Sequence, residues 1–265
     1  LQCGRAIDAP PTRRERELLA ANGRAWLGAA EKFVRKEGVV YRRGFVACAR
    51  LTEVARRTPD RVWHTIEELD VGGWWTDASL PEWLPTLPAL HRVWGVSTYR
   101  WEPVIAVPHP WTTLGLYGVR TNTFQELDAA RGNFTQLVEL DLSSTNANAA
   151  VLAHLAETQI AAQLQRVRVS TRISQLAQVN ALAALPLAID VVPSYSFPPL
   201  EDGPIARLAQ RRLALIARTP KDVRYLLALL RALELGSITH ATITAPPKAD
   251  TRALVAELQR LQVTS

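Results

Sequence analysis

The stretch LVELDLSSTN, residues 137–146, contains two leucines, Leu140 and Leu142, that are separated by a single acidic residue. Such alternation is typical of a short strand with one buried face. Similar apolar pairs return roughly every 21 to 28 residues. They are Leu69 with Val71, Val93 with Val96, Leu114 with Leu116, Val167 with Val169, Ile189 with Val191, Leu213 with Leu215, and Ala241 with Ile243. A period of this length predicts a solenoid, in which each unit buries its apolar side by stacking on its neighbours.

The same stretch resembles a known repeat family. Leu137-x-x-Leu140-x-Leu142, followed by Asn146, is similar to the leucine-rich repeat, in which the asparagine hydrogen-bonds the turn after the strand. Most other units lack the asparagine and vary in length. The resemblance implies an α/β fold, an irregular leucine-rich-repeat-like solenoid with a parallel concave sheet over residues 45–265. An N-terminal helical cap or linker would occupy residues 1–44.

The first 44 residues have a different pattern. Thr12 can cap a helix over residues 13–22, and Gly23 suits its C-terminal end. The spacing predicts a second helix over residues 24–36 and a first strand over residues 44–51. The predicted buried face of the second helix consists of Trp26, Leu27, Ala30, Phe33 and Val34.

This segment also resembles a particular linker. The runs LQC, RERELL, AWLG and RRGFV, which start at Leu1, Arg14, Ala25 and Arg42, are similar to the segment after the repeat-companion domain of myxobacterial and planctomycete proteins. Those proteins also carry leucine-rich-repeat-like arrays. The resemblance implies that the companion domain is missing upstream. The chain begins with Leu1 and has no Met, so we expect a piece of a longer product.

The segments between the predicted strands are of two kinds. Some are rich in Ala and Leu and predict helices over residues 148–164, 174–185, 221–233 and 250–261. Others are rich in proline, around residues 103–110 and 195–204, and predict loops or single helical turns. A last apolar pair, Leu261 with Val263, predicts a terminal strand.

Residues beside the apolar pairs are expected to point out of the sheet, because side chains alternate along a strand. In-register stacking would place Glu139 beside Arg166 and would form a row of alternating charge from Asp141, Arg168 and Asp190. These residues either offset one another in cross-strand pairs or form a partner-binding stripe. The candidate partner-binding residues are Asp70, Arg92, Trp94, Tyr117, Glu139, Asp141, Arg166, Arg168, Asp190 and Arg212.

The tryptophans are distributed unevenly. All eight lie between Trp26 and Trp111. They either fill an irregular N-terminal core or form an exposed patch for a second subunit.

The net charge of +6 is concentrated at one end of the chain. Residues 1–50 hold 11 of the 31 Lys and Arg residues and five of the 25 Asp and Glu residues, and the remainder is balanced. A nucleic-acid-binding solenoid would carry its basic stripe along the repeats. A nucleic-acid module is therefore the less favoured alternative, and it would use Arg13, Arg14, Arg16, Arg42 and Arg43.

Other classes of protein lack support in the sequence. No window is long and apolar enough to predict a membrane span. Two cysteines, Cys3 and Cys48, form neither a disulfide framework nor a metal-ligand spacing and fit a cytoplasmic protein. No catalytic motif is present, and His154 with Glu157 is interpreted as a surface pair, since catalytic zinc usually takes three protein ligands. We expect no enzyme activity, cofactor or metal.

These observations favour a non-catalytic protein–protein interaction or scaffold module of a bacterial cytoplasmic protein, itself part of a larger protein or complex. The concave face would bind another protein. Two alternatives stay open: the nucleic-acid module described above, and a regulatory or accessory subunit of an enzyme complex.

Overall fold

A computed structural model describes residues 12–35, 38–42, 45–51, 61–71, 84–145, 149–171, 185–193, 203–232 and 238–261. It is a mixed α/β structure built on one 11-stranded sheet, whose strands lie side by side in chain order. The strands are β1 (Val40–Arg42), β2 (Phe45–Arg50), β3 (Glu68–Asp70), β4 (Arg92–Ser97), β5 (Thr113–Tyr117), β6 (Glu139–Ser144), β7 (Arg166–Thr171), β8 (Ala188–Pro193), β9 (Ile205–Ala209), β10 (Arg212–Ile216) and β11 (His240–Thr244).

Most of the sheet is parallel. Strands β2 to β8 pair in parallel, as do β10 and β11. Two strands that the sequence did not predict, β1 and β9, pair antiparallel with their neighbours. The hairpin from β9 to β10 turns at Gln210 and Arg211, both with positive φ (46° and 64°). Such two-residue turns usually carry Asn-Gly or Asp-Gly, so Gln-Arg gave no hairpin signal.

The first members of the predicted apolar pairs form one continuous row across the sheet, whereas the row of second members is interrupted at the register shift between β5 and β6. The first row pairs Leu69 with Val93, Leu114, Leu140, Val167 and Ile189 in strand order, and all are buried. Leu208 of β9 continues this row to Leu213 and Ala241. Full burial of such a side chain stabilises the fold by about 1.5–3 kcal/mol, so the rows fix the register. One continuous hydrophobic cluster results.

The helices are α1 (Arg13–Leu27), α2 (Glu102–Ile105), α3 (Thr123–Ala129), α4 (Ala149–Ala156), α5 (Gln159–Gln163), α6 (Asp222–Ala232) and α7 (Arg252–Arg260). The predictions that match α6 and α7 are confirmed. The helix predicted over residues 148–164 is broken into α4 and α5, because the Thr158 hydroxyl donates to the Leu155 carbonyl and Asp128 accepts from the Ile160 N–H. Most of the helix predicted over residues 174–185, and Val263 of the terminal pair, lie outside the described residues.

The N-terminal helix is longer than predicted. Thr12 and Glu15 form a capping box at its start, as the Thr12 prediction requires. Gly23 is inside α1 rather than at its end, and its carbonyl accepts a hydrogen bond from the Tyr41 hydroxyl. The helix ends at Gly28, which has φ of 53°.

The second N-terminal helix was predicted wrongly. A short 3₁₀ helix, Gly28–Phe33, follows α1 directly. Leu27, Ala30 and Val34 are buried as predicted, whereas Trp26 is 42% exposed. Strand β1, within the predicted cap, pairs with β2 and so belongs to the same sheet.

The core interpretation of the tryptophans is confirmed for Trp63, Trp101 and Trp111, which are buried. Glu126 accepts a hydrogen bond from the Trp101 indole at 2.7 Å. The exposed residue Trp26 contacts Tyr41 edge-on, with ring centroids 6.1 Å apart. Trp74, Trp75 and Trp83 lie outside the described residues.

Candidate functional site

The surface opposite the two apolar rows is called here the polar face. Two rows of outward positions cross it. One runs through Glu68, Arg92, Thr113, Glu139, Arg166 and Ala188, and the other through Arg50, Asp70, Trp94, Gly115, Asp141, Arg168, Asp190 and Arg207. Eight of the ten candidate residues lie in these rows. Tyr117 pairs with Ser97 at the end of β5, and Arg212 lies on β10 beside Ala209 and His240.

The strands β1 to β4 carry compact ion pairs. The Arg42 guanidinium lies 2.6 Å from Glu67 and 3.1 Å from Glu68, and the Arg50 Nε lies 2.6 Å from Asp70. Arg92 reaches Glu68 at 3.4 Å. This end of the polar face is therefore neutralised by direct pairing, as the offset interpretation predicts.

A bulge in β4 positions Trp94. Register between β4 and β5 shifts between Val93 and Val96, and Gly95 within the bulge has φ of 76°. The Trp94 side chain lies over Gly115, where an added Cβ would be 2.5 Å from Trp94 Cδ1. The buried indole Nε1 has no hydrogen-bond partner among the described residues. The missing side chain of Gly115 thus leaves space for the Trp94 ring, and the Trp94 indole N–H donates no hydrogen bond within the described residues.

Asp190 forms the one bidentate pair described on this face. Its side chain is fully buried, and Arg207 donates to it from Nε at 2.6 Å and from Nη2 at 3.0 Å. Hydrogen bonding to Asp190 raises the pKa of the Arg207 guanidinium. Such a pair satisfies both partners, and it joins β9 to the parallel part of the sheet.

Arg166 and Arg168 are held less tightly. Arg168 lies 3.6 Å from Asp141 and 3.8 Å from Asp190, and Arg166 lies 3.9 Å from both Glu139 and Asp190. The predicted neighbours are thus brought together. These separations are too long for hydrogen bonds, and the buried Nε atoms of both arginines lack a partner among the described residues.

Asp141 is the least satisfied carboxylate of the group. It is 2% exposed, and its Oδ1 accepts from the Ser143 N–H at 2.8 Å. Its buried Oδ2 has no hydrogen-bond partner in the described part of the chain. Burial raises the pKa of Asp141, although the Ser143 hydrogen bond and the charge of Arg168 oppose the shift.

Arg207 is the functional candidate that the sequence did not suggest. The run IARLA of β9 follows the proline-rich residues 195–204 and precedes an unusual turn. The alternation of Ala206 and Leu208 around Arg207 was the available signal, since both apolar residues are buried.

The described residues contain no cluster of three His, Cys, Asp or Glu side chains that could hold a metal ion. His154 and Glu157 are 3.5 Å apart on the surface, as predicted. His109 is buried against Trp111 and burial lowers its pKa, whereas burial raises the pKa of the Cys48 thiol to about 12, which disfavours a reactive thiolate.

The helices that the structure describes are all too short or too polar to span a lipid bilayer.

A cavity of about 590 Å³ lies between β11 and α7 and is lined mainly by apolar residues such as Ile243, Pro246, Val255 and Leu258. No chemical group in this cavity indicates a specific ligand.

Comparisons of the chain with protein-family models, with curated proteins and with solved structures found no match.

Proposed function

We propose that the chain is a non-catalytic protein-interaction module whose polar face binds another protein, as one part of a larger protein or complex in the bacterial cytoplasm. One observation carries the proposal. Trp94 lies on β4, Asp141 on β6, and Arg166 and Arg168 on β7, and each keeps a buried polar atom without a hydrogen-bond partner among the described residues.

Unpaired buried polar atoms cost stability, and a native structure that retains several of them calls for an explanation. A partner would contact the parts of these side chains that remain exposed, such as the Arg166 side chain at 39% and the partly exposed Trp94. Tryptophan and arginine are also the residues most often found at energetic hot spots of interfaces. The chemistry of this surface therefore fits recognition better than catalysis.

We further propose that the sheet is the face of an irregular leucine-rich-repeat-like solenoid. Its support is the chain-order arrangement of strands β2 to β8 and the continuous apolar row that crosses them. In repeat proteins of this kind, an extended open surface is the usual binding site.

A protein partner is favoured over nucleic acid because of the N-terminal arginines. Arg42 is paired with Glu67 and Glu68, and Arg13 and Arg14 lie within 4 Å of Glu17. Paired guanidiniums offer fewer free donors to phosphates. We therefore infer that the positive net charge is not a nucleic-acid footprint.

The test is capture of a partner from the native organism with the tagged full chain. Nuclease-treated lysate is used, and captured proteins are quantified by mass spectrometry. The variant W94A/R168E is compared with W26A/R224E, which removes an exposed Trp and reverses an exposed Arg elsewhere. We expect one protein to be enriched by wild type and by the control, and lost with W94A/R168E.

Arg168 lies close to two buried carboxylates, so R168E could also unfold the chain. R166E is the second variant, because the Arg166 side chain is 39% exposed. Thermal unfolding checks each protein. Undiminished capture by folded W94A/R168E and R166E would contradict the proposed face.

A further inference from the structure

The solvent-accessible charge of the polar face differs from the formal charge of its residues. Between β6 and β10 the acidic side chains are covered: Asp190 is fully buried, Asp141 is 3% exposed and Glu139 is 17% exposed. Among the basic side chains, Arg166 is 39% and Arg207 is 35% exposed, whereas Arg168 is 15% exposed. The three carboxylates and the four arginines of these strands (Arg166, Arg168, Arg207 and Arg212) therefore present mainly guanidinium groups to solvent.

Small residues separate these arginines. Arg166 pairs with Ala188 of β8, Arg212 pairs with Ala209 of β9, and Arg207 pairs with Ala214 of β10. Neighbouring strands are about 4.8 Å apart, so the backbones at Arg166 and Arg212 are about 14 Å apart across three strand spacings. The three alanines leave a shallow floor between exposed arginines, called here the arginine trough.

We propose that the arginine trough binds an acidic segment of the partner protein, whose carboxylates are held by Arg166 and Arg212 and whose backbone lies over the alanine floor. This inference rests on the proposed function and assigns the chemistry of the partner. Guanidinium groups bind carboxylates through two parallel hydrogen bonds. The Arg166 side chain makes no hydrogen bond within the described residues, and although its Nε is buried, the side chain is 39% exposed and can present its terminal nitrogens to a carboxylate.

An acidic protein segment fits better than a nucleic-acid strand. Strands of nucleic acid need an extended positive groove, with aromatic side chains on which bases stack. The trough spans only β7 to β10, and its outward positions there are filled by Arg, Ala and buried Asp. A nucleic-acid strand that continued beyond the trough would meet the carboxylate of Glu139 and arginines that already pair with carboxylates, Arg42, Arg50 and Arg92.

Binding of short labelled probes to the full chain tests this directly. Fluorescein-labelled hexaglutamate, hexalysine and decathymidine are titrated at low salt and followed by anisotropy. We expect hexaglutamate to bind more tightly than the other two, and R166Q/R212Q to weaken it about tenfold, the loss of one good interaction. The control R14Q/R224Q removes the same charge from exposed helix positions and should change the affinity less than about twofold.

Three results would overturn the inference: no binding of hexaglutamate, equal weakening by R14Q/R224Q, or tighter binding of decathymidine that R166Q/R212Q abolishes. The experiment is independent of partner capture. If capture depends on Trp94 and Arg166 while hexaglutamate fails to bind, the proposed function stands and the acidic chemistry is wrong. If hexaglutamate binds the trough but no captured protein depends on the polar face, the proposed function fails instead.

Discussion

Asp141 and Asp190 occupy the same outward row, on either side of Arg168, yet their surroundings differ. Asp190 accepts two hydrogen bonds from Arg207, whereas one oxygen of Asp141 is buried without a hydrogen-bond partner in the described part of the chain. A satisfied buried pair serves the fold, whereas an unsatisfied carboxylate is the kind of group that binding sites retain. Substitutions at Asp141 and at Asp190 should therefore change the free energy of unfolding in opposite directions.

Replacing Asp141 tests the cost of its burial. Its folded-state pKa lies above the ordinary value, so the folded state loses stability as pH rises through that pKa. The asparagine of D141N cannot ionise, so this variant does not lose stability in this way. The free energy of unfolding of D141N minus that of wild type should therefore increase from pH 4 to pH 8. Urea titrations at several pH values measure the difference.

Asp250 provides the control of opposite sign. Its hydrogen bonds from Arg252 lower its pKa to about 2, so its contribution is present at neutral pH and is lost as pH falls through that value. The D250N difference should become more unfavourable as pH rises from about 2 to about 4, between the folded and the ordinary pKa of Asp250, and should stay nearly flat above that. A D141N difference that is flat or follows the same direction would contradict the assignment.

Replacing Asp190 should instead destabilise the chain strongly. D190N removes the buried carboxylate that accepts two hydrogen bonds from the Arg207 guanidinium, whose side chain is 35% exposed, and losing hydrogen bonds to a charged group typically costs about 1.5–3 kcal/mol. Chemical denaturation at neutral pH measures this. The comparison is E17Q, which disrupts an exposed helical pair with Arg13 and should leave the midpoint nearly unchanged.

At the scale of elements, the contact between β4 and β5 depends on a missing side chain. A Cβ at Gly115 would be 2.5 Å from Trp94 Cδ1 and 3.0 Å from the Trp94 Cα. We expect G115A to cost about 1–3 kcal/mol, as overpacking does, and W94A/G115A to recover part of that loss. Thermal unfolding measures both, and G132A is the control, because a Cβ there meets nothing within 4 Å.

The hairpin between β9 and β10 contains strain that substitution should relieve. Gln210 and Arg211 both have positive φ, which is costly for residues with a Cβ and suits Asn-Gly. Q210N/R211G should therefore raise the free energy of unfolding by roughly 1 kcal/mol. R212G, which places glycine inside β10, should lower it. A loss of stability with Q210N/R211G would argue against this turn.

At the scale of the whole molecule, sequence reasoning was successful where one rule repeats. The period predicted parallel strands and the inward rows, and hence which charged residues adjoin, such as Asp141 and Arg168. It did not predict β9, whose turn lacks turn-type residues, so Arg207 was missed. The sequence shows which residues are charged but not how deeply each is buried. Only the structure shows that the side chains of Arg166 and Arg207 are exposed while that of Asp190 is buried.

The N-terminal segment closes one edge of this sheet, and its removal tests whether it is a separate cap. Strand β1 pairs with β2, and Leu27, Ala30 and Val34 belong to the same buried cluster as Val46 and Leu51. Deletion of residues 1–44 would expose those apolar residues and leave β2 as an unpaired edge, a template for association between chains. We expect lower thermal stability and concentration-dependent oligomers by light scattering. If the shortened chain is instead a monomer of wild-type stability, residues 1–44 are independent of the sheet, because β2 then tolerates being an exposed edge strand.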